Sequence, residues 1–90
     1  MNTPNPFPWE ETAAKKYALM IDRMPLFHRK IAKQIVDKKA VENARARGAS
    51  CVEEGDIVRA FSTEVPKAFY SLMVRLFDEV GFAYRKYIAK

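Results

Sequence analysis

The stretch MPLFHRKIAKQIVDKKAVENARARG, residues 24–48, is the longest uninterrupted helix candidate in the chain, and its reading decides how the rest packs. Pro25 opens it, a residue tolerated in a first helical turn and poorly elsewhere, and Gly48 closes it, the usual residue for a left-handed helix end. Its apolar positions do not form one stripe. At about 100° per residue, Phe27, Ile31, Ala32, Ile35 and Val36 fill one half of the wheel, while Val36, Ala40, Val41 and Ala44 fill much of the other. The arc that is apolar in the first half carries Lys38, Lys39, Glu42, Asn43 and Arg45 in the second. No breaker lies near Asp37, so the pattern predicts one helix sandwiched between different partners. Phe27, Ile31 and Ile35 are expected to meet the first helix, and Val36, Ala40, Val41 and Ala44 the later ones.

Upstream, Asn2 to Pro8 holds three prolines in seven residues and reads as an extended arm spanning 1–8, with Phe7 docking on the body or on a partner. A first helix is expected from Trp9 to Arg23, with Glu10 and Glu11 where the helix dipole favours acids. Trp9, Ala13, Tyr17, Met20, Ile21 and Met24 share its apolar arc, and Leu19 falls outside it. Downstream, Gly48 to Cys51 make a short connection, Val52 points inward, and Glu53 to about Ser62 form a short third helix with Asp56 in its first turn. Pro66 opens a fourth helix predicted to run to Tyr87 or Ile88. Six of the eleven aromatic residues lie in it, and its apolar face covers about half the wheel. So wide a face is expected to close the core and to offer a surface for self-association or a protein partner.

The expected fold is therefore all-α: one compact four-helix domain over 9–90, with a long central helix and a long amphipathic C-terminal helix over 66–88. Ninety residues, about half of them apolar, support one modest core and not two. The single cysteine, Cys51, excludes an intrachain disulfide. With no basic segment and apolar run at the amino terminus and no run approaching the ~18 apolar residues of a membrane span, a cytoplasmic protein is expected. The net charge of +5 is uneven: from Arg23 to Arg47, eight Lys or Arg face Asp37 and Glu42, a local balance of +6. Arg29, Lys30, Lys33, Lys38, Lys39, Arg45 and Arg47 are the candidate residues for an acidic partner surface or a phosphate backbone.

Groups suited to catalysis are scarce. His28, the only histidine, sits in the apolar arc with Phe27, Ile31 and Ile35, where it is the one candidate cofactor ligand or acid/base. Cys51 lacks a second thiol, and Glu53, Glu54 and Asp56 sit at a helix start where capping accounts for them. There is no phosphate-binding glycine loop, nucleophile elbow or metal-ligand spacing. No enzyme activity, cofactor or metal is expected.

Two family resemblances follow from quoted residues. Trp9, Ala13, Met24-Pro25, Phe27, Arg29, Glu42, Ala44-Arg45, Gly48, Val52 and Ala60 resemble the PCP-reductase domain, the small C-terminal domain of the light-independent protochlorophyllide reductase B subunit, over residues 9–61. His28 replaces an apolar residue of that pattern, and Glu53 a capping threonine. The resemblance implies an accessory module of an oxidoreductase system, without the larger body that holds the iron-sulfur cluster and tetrapyrrole. Ala40-Val41, Ala44, Gly48, Val52, Asp56-Ile57 and Ala60 also resemble, more briefly, the end of the middle helix, second loop and last helix of archaeal histones. The leading expectation is a small non-catalytic interaction module. A histone-like DNA-binding protein is the alternative, and a tetrapyrrole or redox accessory protein using His28 the third reading.

Overall fold

A computed structural model describes residues 7–88. The first helix, α1 (Glu11–Asp22), begins where Glu10 turns its carboxylate onto free amides of the first turn. It accepts from Thr12 N at 3.1 Å and Ala13 N at 2.8 Å, as an N-cap side chain does. Ala13, Tyr17, Met20 and Ile21 recur at helical spacing and are buried, while Leu19 faces solvent. Pro25, in extended backbone, then starts α2 (Leu26–Ala46). The turn between them is tied by Arg29, whose guanidinium donates to the carbonyls of Asp22 at 2.6 Å and Met24 at 3.1 Å.

At the far end of α2, Gly48 adopts φ 74°, which a side chain would strain. The left-handed residue lets Ala49 N donate to Ala44 O at 2.9 Å and Gly48 N to Arg45 O at 3.0 Å. Those two bonds form a Schellman end and satisfy carbonyls the helix leaves free. The chain then passes Val52, which is fully buried and bridged in parallel to Trp9. Val52 N donates to Pro8 O and Glu10 N to Val52 O, so the segment entering α1 is stitched to the loop leaving α2. Phe7 packs against the body with the Arg45 guanidinium 5.2 Å above its ring. The rest of the expected N-terminal arm lies outside the described residues.

α3 (Glu54–Glu64) buries Ile57, Val58, Ala60 and Phe61, and it makes the most extensive helix contact in the protein, with α2. The α2 side of that contact is Val36, Ala40 and Ala44, small residues that let the two backbones approach closely. Phe61 anchors the core, edge-on to both Tyr17 and Phe77 with ring centroids 5.8 Å apart in each case.

The described residues are all-α, but the last segment differs from the single helix expected over 66–88. Pro66 leads into a short 3-10 turn (Lys67–Phe69), then α4 (Tyr70–Val80), and a separate α5 (Arg85–Ile88). The break is Gly81, at φ 88°. Its left-handed backbone ends α4 and brings Phe82 and Tyr84 back over Phe77, with centroid separations of 5.9 and 5.4 Å. The aromatic residues that looked surplus on a straight helix are thus largely spent on the protein's own core; Phe69 and Tyr70, at its start, stay exposed.

A second expectation is also corrected. Phe27, Ile31 and Ile35 do not bury themselves against α1 but stand exposed to solvent. α1 leans instead on α4 as well as α2 and α3, and its buried residues are taken up by the core around Phe61. No described helix is long and apolar enough to cross a membrane.

Candidate functional site

The exposed half of α2 borders a groove. Its wall on the α2 side is made by His28, Ile31, Ala32 and Ile35, and its opposite wall by Val65, Pro66, Phe69 and Leu72. Met20, Phe61, Met73 and Leu76 form the floor, so the groove reaches the core itself. Its volume is about 320 Å³, enough for several apolar side chains. Leu26 and Phe27, 74% and 78% exposed, stand at the start of this half-helix, with Ile31 at 60%. Four large apolar residues exposed within ten positions of one helix are more than the scattered single exposures found elsewhere on the described surface, at Leu19, Phe69 and Tyr70.

The local sequence explains the geometry. Pro25 fixes the entry to α2 and Arg29 ties its first turn to the end of α1, which sets the direction in which the half-helix projects. The α3–α4 connection, stiffened by Pro66 and the 3-10 turn that follows, holds Val65 and Phe69 across from it. Three methionines, Met20, Met24 and Met73, line the groove, and their unbranched side chains adapt to differently shaped occupants.

His28 lies on the groove wall and is exposed, its ring 4.3 Å from that of Phe27 and 5.9 Å from that of Phe69. Among the described residues no group of three His, Cys, Asp or Glu side chains is placed to hold a metal ion. Cys51 is half-buried, with Glu53 Oε2 4.0 Å from its sulfur.

The seven basic candidates, six on α2 and Arg47 at its C-cap, separate into two sets. Arg29 is committed to backbone carbonyls, Lys33 to Asp37 at 2.8 Å, Arg45 to the Phe7 ring, and Arg47 to Asp56. The Arg47 contact is two-pronged, with Nε and Nη2 donating to the two carboxylate oxygens of Asp56 at 2.8 and 2.7 Å. Lys30, Lys38 and Lys39 have no ion-pair partner among the described residues.

Asp56 is the one buried charged residue among those described, and it is fully partnered. Besides Arg47 it accepts from Glu53 N at 2.9 Å, the return half of a capping box that starts α3. Burial pushes its carboxyl up; the Arg47 hydrogen bonds, the Glu53 amide and the charges of Arg47 and Arg59 outweigh this and hold it below the ordinary carboxylate range. The same pair raises Arg47 further above its usual value. A second polar cluster lies over α1, where Tyr17 Oη donates to Asp37 Oδ1 at 2.6 Å under the stacked Trp9 ring. Burial first, and then the Asp37 hydrogen bond and charge, push the Tyr17 phenol well above its ordinary value, so it stays protonated. Both clusters join elements of the fold, and neither faces the groove.

Sequence reasoning singled out the cations and missed the groove. The signal was present: Phe27, Ile31 and Ile35 form an apolar arc beyond the one that α3 could cover. Its other wall comes from residues 65–72, which a continuous helix over 66–88 would have placed elsewhere. Compared with protein-family models, curated proteins and solved structures, the chain matches none.

Proposed function

We propose that the protein is a non-catalytic helical interaction module whose docking face is the groove between the N-terminal half of α2 and the α3–α4 connection, and that it takes up a helical segment of another protein. The observation that carries this reading is the exposed run Phe27, Ile31 and Ile35 beside an open, Met-lined groove. Residues spaced i, i+4, i+8 form a ridge, and ridge and groove together are how one helix is received between two others. An exposed apolar face of this kind costs solubility in an isolated chain and is accounted for by a partner that covers it.

Capture from the native lysate with wild type and with Ile31→Glu tests it. Recovery of a protein by wild type but not by Ile31→Glu is expected. Identical captures by both, or a monomer that captures nothing, reject the reading.

The DNA-binding reading has one favourable observation: Lys30, Lys38 and Lys39 are accessible and unpaired among the described residues. Phosphate contacts would make binding fall steeply with salt. Titration of labelled duplex DNA at two salt concentrations decides it, and no shift at the lower one rejects it.

A further inference from the structure

We infer that the helix received by the groove is acidic along its flanks, a step that rests on the proposed docking function. The charge around the groove carries it. One turn beyond Ile35 on α2, Lys38 and Lys39 extend the line of the apolar wall. On the other side, Lys67 follows the lining residue Pro66, and Arg75 lies one turn beyond Leu72. None of the four has an ion-pair partner among the described residues, whereas Lys15, Lys16, Arg23, Lys33 and Arg47 all do. Among the described residues, the unpaired carboxylates near this face are Glu64, in the groove wall, Glu42, one turn beyond Lys38 and Lys39, and Asp78, one turn beyond Arg75, while Glu79 beside it is paired with Arg23. The unpaired cations exceed them and stand on both sides of the apolar floor.

An amphipathic helix with an apolar stripe fills the floor and sets glutamates or aspartates opposite those lysines and Arg75, the arrangement that steers encounter and fixes orientation. A second copy of the chain would bring the same unpaired cations, and its own net charge of +5, to the seam. A phosphate backbone has no apolar stripe to lay on the exposed lining residues Ile31, Ile35 and Phe69.

The test is a calorimetric titration with a synthetic amphipathic helix that carries leucines at i, i+3, i+4 and i+7 and glutamates on its flanks. It is compared with the same peptide bearing lysine for every glutamate. The acidic peptide is expected to bind on the order of tenfold tighter, with the preference shrinking as salt rises and collapsing in Lys38→Glu/Lys39→Glu. Ile31→Glu, at an exposed position and checked for wild-type urea unfolding, abolishes binding of both. Equal binding of the two peptides, still lost in Ile31→Glu, overturns the acidic preference and leaves the groove reading standing. Failure of both peptides to bind, or binding that Ile31→Glu leaves unchanged, overturns the groove reading as well. A dimer by light scattering that Ile31→Glu dissociates assigns the face to a second copy and overturns the inference.

Discussion

The two halves of α2 belong to one unbroken helix and live in different surroundings. From Val36 onward its inward face is Val36, Ala40 and Ala44, all essentially without solvent exposure and pressed on α3. Before Val36 the apolar residues are larger, yet Leu26, Phe27, Ile31 and Ile35 remain exposed. Burial therefore follows partner geometry and not hydrophobicity: small residues are buried because α3 fits closely against them, and large ones are open because no described element lies over them. The packed half holds the protein together. The open half is available for something else.

This contrast can be broken at its strongest point first. Asp56 locks the end of the packed half to α3, and Asp56→Ala removes both Arg47 hydrogen bonds and a helix-start bond together. A loss of about 2–3 kcal/mol in urea unfolding is expected, tempered by the solvent access that Arg47 keeps. The carboxyl is held below its ordinary range in the folded chain, so its contribution is fully present above about pH 4 and is lost as pH falls through the depressed folded value. Unfolding from about pH 7 down to about pH 2 should show the gap between wild type and Asp56→Ala closing at the acid end; a gap that widens there contradicts the assignment.

Next in size is Ala44→Leu, which forces three extra heavy atoms into the α2–α3 contact. It should cost about 1–3 kcal/mol by overpacking, read as a lowered melting temperature, although leucine is itself a good helix former. An unchanged melting temperature would mean that the two helices are not closely packed there. Smaller again is Arg29→Ala, at the base of the open half, which loses two hydrogen bonds to the carbonyls of Asp22 and Met24. About 1 kcal/mol is expected in urea unfolding. A larger drop in partner capture than in stability would sharpen the contrast, because Arg29 sets the direction of the half-helix that forms the groove wall.

How much of this was legible in the sequence depends on which interactions are local. The face of α1, with Leu19 left out of it, follows from helical spacing alone, as do the inward Val52 and the close of α2 at Gly48. The division of α2 into two arcs was legible too, but its consequence was not, because periodicity marks what a helix offers and not whether a neighbour exists to take it. Gly81 misled for a related reason. A left-handed residue there returns Phe82 and Tyr84 to the core, and the same residues satisfy a straight amphipathic helix on a wheel. The cations were visible as a local excess of charge. Their separation into committed and free sets was not, since Arg47 finds Asp56 across the Gly48 turn and Arg29 bonds backbone carbonyls that carry no side-chain signature. The family resemblances fell on residues 9–61, which include the packed half of α2; half of the groove lies outside them, in residues 64–76.

The open half of α2 is tested most directly by the unfolding free energy of Ile31→Glu. Placing a charge at a solvent-exposed position changes stability by no more than about 0.5 kcal/mol, so urea unfolding of the isolated variant should overlay that of wild type. A loss of about 2 kcal/mol or more, the size expected when an unpaired charge is forced into an apolar interior, would show that Ile31 is covered in the isolated chain and would contradict a free docking face.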